Sequence, residues 1–194
     1  MKVLITMLLE CVVNEIIIYK TTPQKVYVLT VENPNTLAAI TRLKGNFPTI
    51  GFEVIYVPEF DVVEIAKIVD GIIKKEKGNQ ININVTEGRK TMVLAGVFAA
   101  SLNKEVVEGA FYLRQDNHDL MPIPLPNFEL SETKLKILDE LNKGIKKVGE
   151  INTQVKIHRS LIYANLKELM KGGYITKDKL VTDSGKICLL RRNG

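Results

Sequence analysis

The eight residues Asn84-Val85-Thr86-Glu87-Gly88-Arg89-Lys90-Thr91 carry the densest chemistry in the sequence. Ile81, Ile83 and Val85 alternate before them, and the apolar run Met92-Val93-Leu94-Ala95-Gly96-Val97-Phe98-Ala99-Ala100 follows. This pattern predicts a strand, a tight turn at Gly88 and a buried helix whose first turn holds Arg89 and Lys90. Unpaired backbone N–H groups at a helix N-terminus attract anions, and two cationic side chains strengthen that field. The carboxyl end of a strand is also where open α/β sheets hold their ligands. The chemistry implied is recognition of a phosphate-bearing ligand; the competing reading is a plain helix start with solvated cations.

The elements that must position this turn are legible as alternating runs. Residues 2–9 form a continuous apolar strand, and 12–19 a short apolar helix beside it. Strands are expected at 25–31 (stopped by Asn33-Pro34), 52–57 (ended by Pro58), 80–85 and 106–112. Helical spacing marks 36–43 and 92–102, and most clearly 62–75, where Val62, Ile65, Ile68, Val69, Ile72 and Ile73 share a face. Glu59 and Asp61 at the preceding strand end read as helix starters. Repeated strand–helix units predict an α/β fold with a mainly parallel sheet covered on both faces. No G-x-G-x-x-G follows the first strand and no G-x-x-x-x-G-K-[ST] occurs, so neither a dinucleotide fingerprint nor a P-loop is indicated.

Composition places a second function behind the first. Of the 194 residues, 1–129 hold 13 Lys and Arg against 15 Asp and Glu, whereas 130–194 hold 14 against 7. A near-neutral segment followed by a short basic one suggests that the latter meets a polyanion; Lys-rich helices that are simply solvated are the alternative. Met121-Pro122-Ile123-Pro124-Leu125-Pro126 cannot be helical and reads as an extended strand or polyproline-like connector, so the expected domains are 1–128 and 129–194. Cys11 and Cys188 form no C-x-x-C pattern, and His118 and His158 stand apart, so no metal centre or disulfide framework is expected. Ser101, Ser131 and Ser160 lie in no nucleophile-elbow context. The opening apolar run stops at Glu10, too soon for a signal core or a membrane span. The expected setting is cytoplasmic, with no membrane association.

In the basic segment, Ser131 suits the N-cap of a helix over 133–142 that Gly144 stops. A short helix at 148–153, a turn at 154–157 and a helix at 158–171 follow, with Ile151, Val155, Ile157, Ile162, Leu166 and Leu169 spaced to lock a helix-turn-helix. Tyr174-Ile175 and residues 179–190 read as short strands of a wing, tipped by either Lys177-Asp178-Lys179 or Asp183-Ser184-Gly185-Lys186. From Ser131 to about Arg192 the segment resembles the winged helix-turn-helix of prokaryotic transcription regulators. The resemblance implies double-stranded promoter DNA as partner, with the start of the second helix in the major groove. The residues at those positions are His158, Arg159, Ser160 and Tyr163, flanked by Lys156 and Lys167. Arg159 is suited to guanine edges, and Lys156, Lys167, Lys179 and Lys186 to phosphates. A winged helix used only for dimerisation or protein contact is the alternative.

Set in this α/β order and joined to a winged helix, the Asn84–Thr91 turn resembles that of the CARF domain of CRISPR-associated transcription regulators, over roughly residues 1–120. CARF domains are Rossmann-like, usually dimeric, and bind cyclic oligoadenylates across the two-fold axis. Their turn commonly reads Asn-x-Ser/Thr-Gly-Gly-Arg/Thr-Lys; this chain matches at Asn84, Thr86, Gly88, Arg89 and Lys90 and departs at Glu87. An acidic side chain beside a phosphate is unfavourable unless it points away. The loop after the first strand is the family's second landmark and adds Thr6, Leu8 and Leu9 as candidates. The resemblance implies a homodimer sharing one ligand, most plausibly cyclic tetra-adenylate, in a ligand-responsive regulator and not an enzyme. Metal-independent cleavage of the cyclic ligand, with charge stabilised by Arg89 or Lys90, is the alternative.

Overall fold

The computed structural model describes residues 1–9, 11–128 and 130–190. Glu10, which ends the first apolar run, and Arg192, the far end of the wing segment, lie outside the described residues. The chain divides into two compact units at Pro126/Asn127, two residues before the expected boundary.

The first unit alternates β1 (Lys2–Met7), α1 (Cys11–Thr21), β2 (Lys25–Thr30), α2 (Pro34–Asn46), β3 (Gly51–Tyr56), α3 (Val62–Lys75), β4 (Gln80–Asn84), α4 (Lys90–Leu102) and β5 (Val107–Leu113), and closes with β6 (Leu120–Pro122). The strands lie in the order β3-β2-β1-β4-β5-β6. All neighbours are parallel except β5 and β6. The Pro-rich stretch thus begins as an antiparallel edge strand, where a missing N–H costs no ladder bond.

Side-chain alternation assigns the two faces. Leu4 and Leu8 pack with Ile17 and Ile18 of α1 and Ala39, Ile40 and Leu43 of α2. Met7, Ile83 and Val85 face α4, whose Gly96 leaves so little room that a Cβ there would lie 2.7 Å from Met7 Cε and 3.1 Å from Val85 Cγ1. Helices α3 and α4 pack together on that side, α1 and α2 on the other. The chain therefore changes face between β1 and β4, which makes the gap between their carboxyl ends the switch point of the sheet.

Local signals set the helix starts. Asn33 forms a capping box with Thr36 ahead of Pro34, and Asp61 caps α3 by accepting from Glu64 N–H at 2.9 Å. At the amino-terminal end of β2, Glu76 accepts from Tyr27 Oη at 2.5 Å and from Lys25 Nζ at 2.7 Å. Burial pushes the Glu76 carboxyl up, but the bonds from Lys25 and Tyr27 and the Lys25 charge outweigh it and hold the group below its ordinary range.

The second unit consists of α5 (Glu132–Asn142), α6 (Val148–Val155), α7 (Arg159–Lys171) and α8 (Asp183–Leu190). Ile137, Leu138, Leu141, Ile151, Ile162, Leu166, Leu169, Ile175 and Cys188 form its core. Two expectations are corrected. Helix α6 runs on to Val155, so the turn shortens to Lys156-Ile157-His158, with Lys156 at a φ of +57°. Among the described residues, the strands expected over 179–190 reduce to a single bridge between Ile175 and Val181, and Asp183–Leu190 is helical. Thr182 starts that helix: its Oγ1 accepts from Gly185 N–H at 3.3 Å, and its carbonyl from Lys186 N–H at 2.9 Å. Gly185 is required by close approach, since a Cβ there would lie 2.4 Å from the Tyr174 carbonyl oxygen.

Because the folded-state Glu76 carboxyl titrates below its unfolded value, its contribution is fully present above the unfolded pKa and is lost as pH falls through the folded one. Glu76→Ala is expected to cost about 2–3 kcal/mol at neutral pH. Urea titrations between pH 7 and 3 check this: the variant's midpoint should fall less steeply with acid than that of the unaltered protein.

Candidate ligand site and nucleic-acid interface

At the switch point, Thr6 and Asn84 end adjacent strands in register and are fully buried. Apolar side chains would be cheaper there unless every polar atom were paired. Each is paired, in one continuous line. Leu113 N–H donates to Thr86 Oγ1 at 2.8 Å, and Thr86 Oγ1 donates to Asn84 Oδ1 at 2.5 Å. Asn84 Nδ2 donates to Thr6 Oγ1 at 2.7 Å, and Thr6 Oγ1 to Asn14 Oδ1 at 2.5 Å. Asn14 Nδ2 then donates to Glu87 Oε2 at 3.0 Å.

Both ends fix the direction. A backbone N–H can only donate, and a carboxylate can only accept. Thr86 N–H, 3.0 Å from Asn84 Oδ1, fixes which way that amide faces. The chain ties β5, β4, β1 and α1 to the turn before α4. Among the described residues no buried side-chain N or O lacks a partner.

Gly88 closes the turn at a φ of +96°, and a Cβ there would stand 2.8 Å from Met7 Cβ. Arg89 occupies the N-cap of α4 and places no side-chain bond on the helix N–H groups. Its guanidinium instead pairs with Glu59 and lies 5.8 Å from the Phe60 ring centroid. Thr91 Oγ1 donates to the Glu59 carbonyl at 2.7 Å, fastening the β3–α3 loop to the start of α4. Lys90 is exposed on the first turn of that helix.

The candidates from the sequence therefore fall into two groups. Gly88, Arg89, Lys90, Thr86 and Glu87 form the accessible or half-buried turn, and Leu9, which follows β1, is half exposed. Thr6, Leu8 and Asn84 are buried, with Leu8 in the apolar core and the other two inside the hydrogen-bond line. Glu87 is turned inward to Asn14. Asn14, Glu59 and Phe60 are contributors that sequence reasoning missed. The only signal for Asn14 was an amide set among Val12, Val13, Ile16, Ile17 and Ile18 of α1.

A groove of about 820 Å³ opens at the same sheet edge, lined by Leu9, Cys11, Asn33, Pro34, Asn35, Thr36, Ala38, Ala39 and Arg42. Burial, and then the hydrogen bond to Glu15, push the Cys11 thiol up to about 11, so it remains protonated and is no nucleophile at neutral pH. Among the described residues no group of three or more His, Cys, Asp or Glu is placed to hold a metal ion. No helix among them is long and apolar enough to cross a membrane.

In the second unit, Ile162, Leu166 and Leu169 of α7 are buried, and the other face of that helix is open. Arg159, Tyr163 and Lys167 recur every four residues on that open face, beside Ser160. His158 is the N-cap: its Nδ1 lies 2.7 Å from Ser160 Oγ and accepts from Ser160 N–H at 3.4 Å. Lys134 of α5 pairs with Glu168 at 2.7 Å, so the one acidic side chain of α7 is drawn back towards α5. The turn closed by the 175–181 bridge carries Lys177-Asp178-Lys179, with Lys179 Nζ donating to the Lys146 carbonyl at 3.1 Å. Lys186 is on α8, paired with Asp183, and not on a wing strand as expected.

The profile of the family described as "HFX_2341_N:-like, N-terminal" matches residues 10–118, more than half of the sequence. The chain belongs to that family. Residues 131–177 match the profile described as "Bacterial regulatory protein, arsR family", a helix-turn-helix module. No curated protein matches the sequence. Among solved structures, Can2 from Sulfobacillus thermosulfidooxidans, in complex with cyclic tetra-adenylate, is similar at a TM-score of 0.50 and 17% identity over 98% of this chain. A Type III CRISPR defence DNA nuclease activated by cyclic oligoadenylate is similar at 0.50 and 13% identity over 88%. Protein VC1899 from Vibrio cholerae is similar at 0.52 and 11% identity over 90%. The chain spans 64%, 34% and 59% of their respective lengths. At such identities the likeness is one of fold: a CARF-like Rossmann unit, here followed by an ArsR-type helix-turn-helix of the kind found in DNA-binding regulators.

Gly88→Ala combines a left-handed backbone with a contact inside van der Waals range. It is expected to cost about 2–3 kcal/mol of stability, measured by chemical denaturation.

Proposed function

We propose that the chain is a ligand-responsive, DNA-binding transcription regulator whose first unit senses a cyclic oligoadenylate, most plausibly the tetramer, in the setting of CRISPR defence. The observation carrying this reading is the Asn84–Lys90 turn. It is anchored by buried polar side chains at the switch point and presents Arg89 and Lys90 at the start of an apolar helix. Phosphate recognition needs such cations gathered beside the free N–H groups of a helix start. The binding of cyclic tetra-adenylate by Can2 and the activation of the CRISPR nuclease by cyclic oligoadenylate support this choice over another phosphate compound.

The same helix supports a homodimer. After Lys90, α4 has no charged side chain, and Leu94 on its outer side is 47% exposed. A helix apolar all round is ordinarily covered on every side. A second copy packed there would bring two Arg89-Lys90 pairs to one axis and match a cyclic ligand of even symmetry. Regulation then requires the ligand to bind the DNA-competent and DNA-incompetent states with different affinity.

The operator is contacted by α7, with Arg159 at base edges and Lys156, Lys167 and Lys179 at phosphates. Two measurements check these assignments. In calorimetry, Arg89→Ala and Lys90→Ala should each weaken cyclic tetra-adenylate binding about tenfold or more, and unchanged affinity rejects the sensor. In promoter titrations across salt concentrations, Arg159→Ala should lose about 1–3 kcal/mol of specific binding; an unaltered affinity and salt slope rejects α7 as the reading helix.

A further inference from the structure

Arg89 already has an occupant. The Glu59 carboxylate pairs with its guanidinium, with Arg89 47% and Glu59 31% exposed. Glu59 is held through Arg89 Nη2, so it competes with any phosphate that uses the same N–H groups. A phosphate that engages Arg89 through Nη2 must first displace Glu59.

The contact is built by the fold. Strand β3 is at the edge of the sheet, whereas α4 begins beside β4 on the far side of β1. Residues 57–61 cross that distance because α3, which they start, packs against α4. Val57 N–H is fixed to the Thr30 carbonyl at 3.0 Å, and the Glu59 carbonyl is held by Thr91 at 2.7 Å. Asp61, two residues on, is committed to capping α3. The backbone therefore delivers the Glu59 side chain to the N-terminus of α4, and Phe60 covers one side of the guanidinium.

We propose that Glu59 is an internal competitor for the ligand phosphate and sets the concentration at which the site fills. The proposal rests on the phosphate-sensing reading of the Arg89–Lys90 turn. A half-exposed pair is worth little, so the ligand can displace it, but the cost is subtracted from its affinity. The pair also reports occupancy, because a phosphate on Arg89 frees the Glu59 side chain while Thr91 keeps the loop in place.

Calorimetry with cyclic tetra-adenylate tests this on the full chain. Glu59→Gln keeps the side chain's size and removes its charge, and should tighten binding about two- to five-fold per protomer. Glu59→Ala should give the same gain. The gain should persist on a Lys90→Ala background and vanish on an Arg89→Ala background, since only Arg89 carries the pair. If the unaltered protein binds and Glu59→Gln binds equally or more weakly, the competitor role is overturned while the sensor stands. A gain that survives Arg89→Ala also overturns it, because the effect would then be long-range charge. If neither the unaltered protein nor Glu59→Gln binds, the sensor reading fails and this inference with it.

Discussion

Strands β1 and β4 leave the sheet side by side and must send their chains to opposite faces, which opens a gap that apolar packing cannot close. The buried hydrogen-bond line from Leu113 through Thr86, Asn84, Thr6 and Asn14 to Glu87 fills it. Each hydroxyl or amide donates in one direction and accepts from the other, so the dipoles run head to tail and reinforce one another. Removing any member would leave neighbours buried without partners, and the cost would exceed the value of one bond. The turn before α4, the start of α1 and the end of β5 all take their positions from this line.

The same line explains how a site suited to anions accommodates carboxylates. Glu87 stands where a small residue is usual in CARF domains, yet it terminates the donor chain and is held by Asn14. Glu59 rests on Arg89 and leaves Lys90 as the exposed cation of the first helical turn. Gly88 completes the arrangement, since its backbone must both reverse and pass against Met7. Charge balance in the turn is thus set by contacts with α1 and with the β3–α3 loop, which are distant in sequence.

The second unit uses a different economy of contacts. Its core is made by one apolar stripe from each of α5, α6 and α7, closed by α8. The wing is reduced to a bridge and a basic turn because Thr182 starts a helix where a returning strand would lie. The open face of α7 keeps Arg159, Tyr163 and Lys167 in one row, and Lys134 draws Glu168 back towards α5. A cationic row with its acid neutralised is what a polyanion meets most favourably.

The sequence by itself determined the strand–helix order, the turn at Gly88, the caps at Ser131 and Asp61 and the helix-turn-helix stripe. These depend on periodicity, proline and glycine placement and capping, all of which act within about ten residues. Read alone, Ile187-Cys188-Leu189-Leu190 passes for wing strand and is helix, because a short apolar run fits either until its neighbours are known. Only tertiary structure decided that Thr6 and Asn84 face each other, that Asn14 turns Glu87 inward and that Glu59 reaches Arg89. Those contacts join residues 73 and 78 positions apart in two of the cases. They follow from strand order and face, and a hydrogen bond between distant residues leaves no period in the sequence to read.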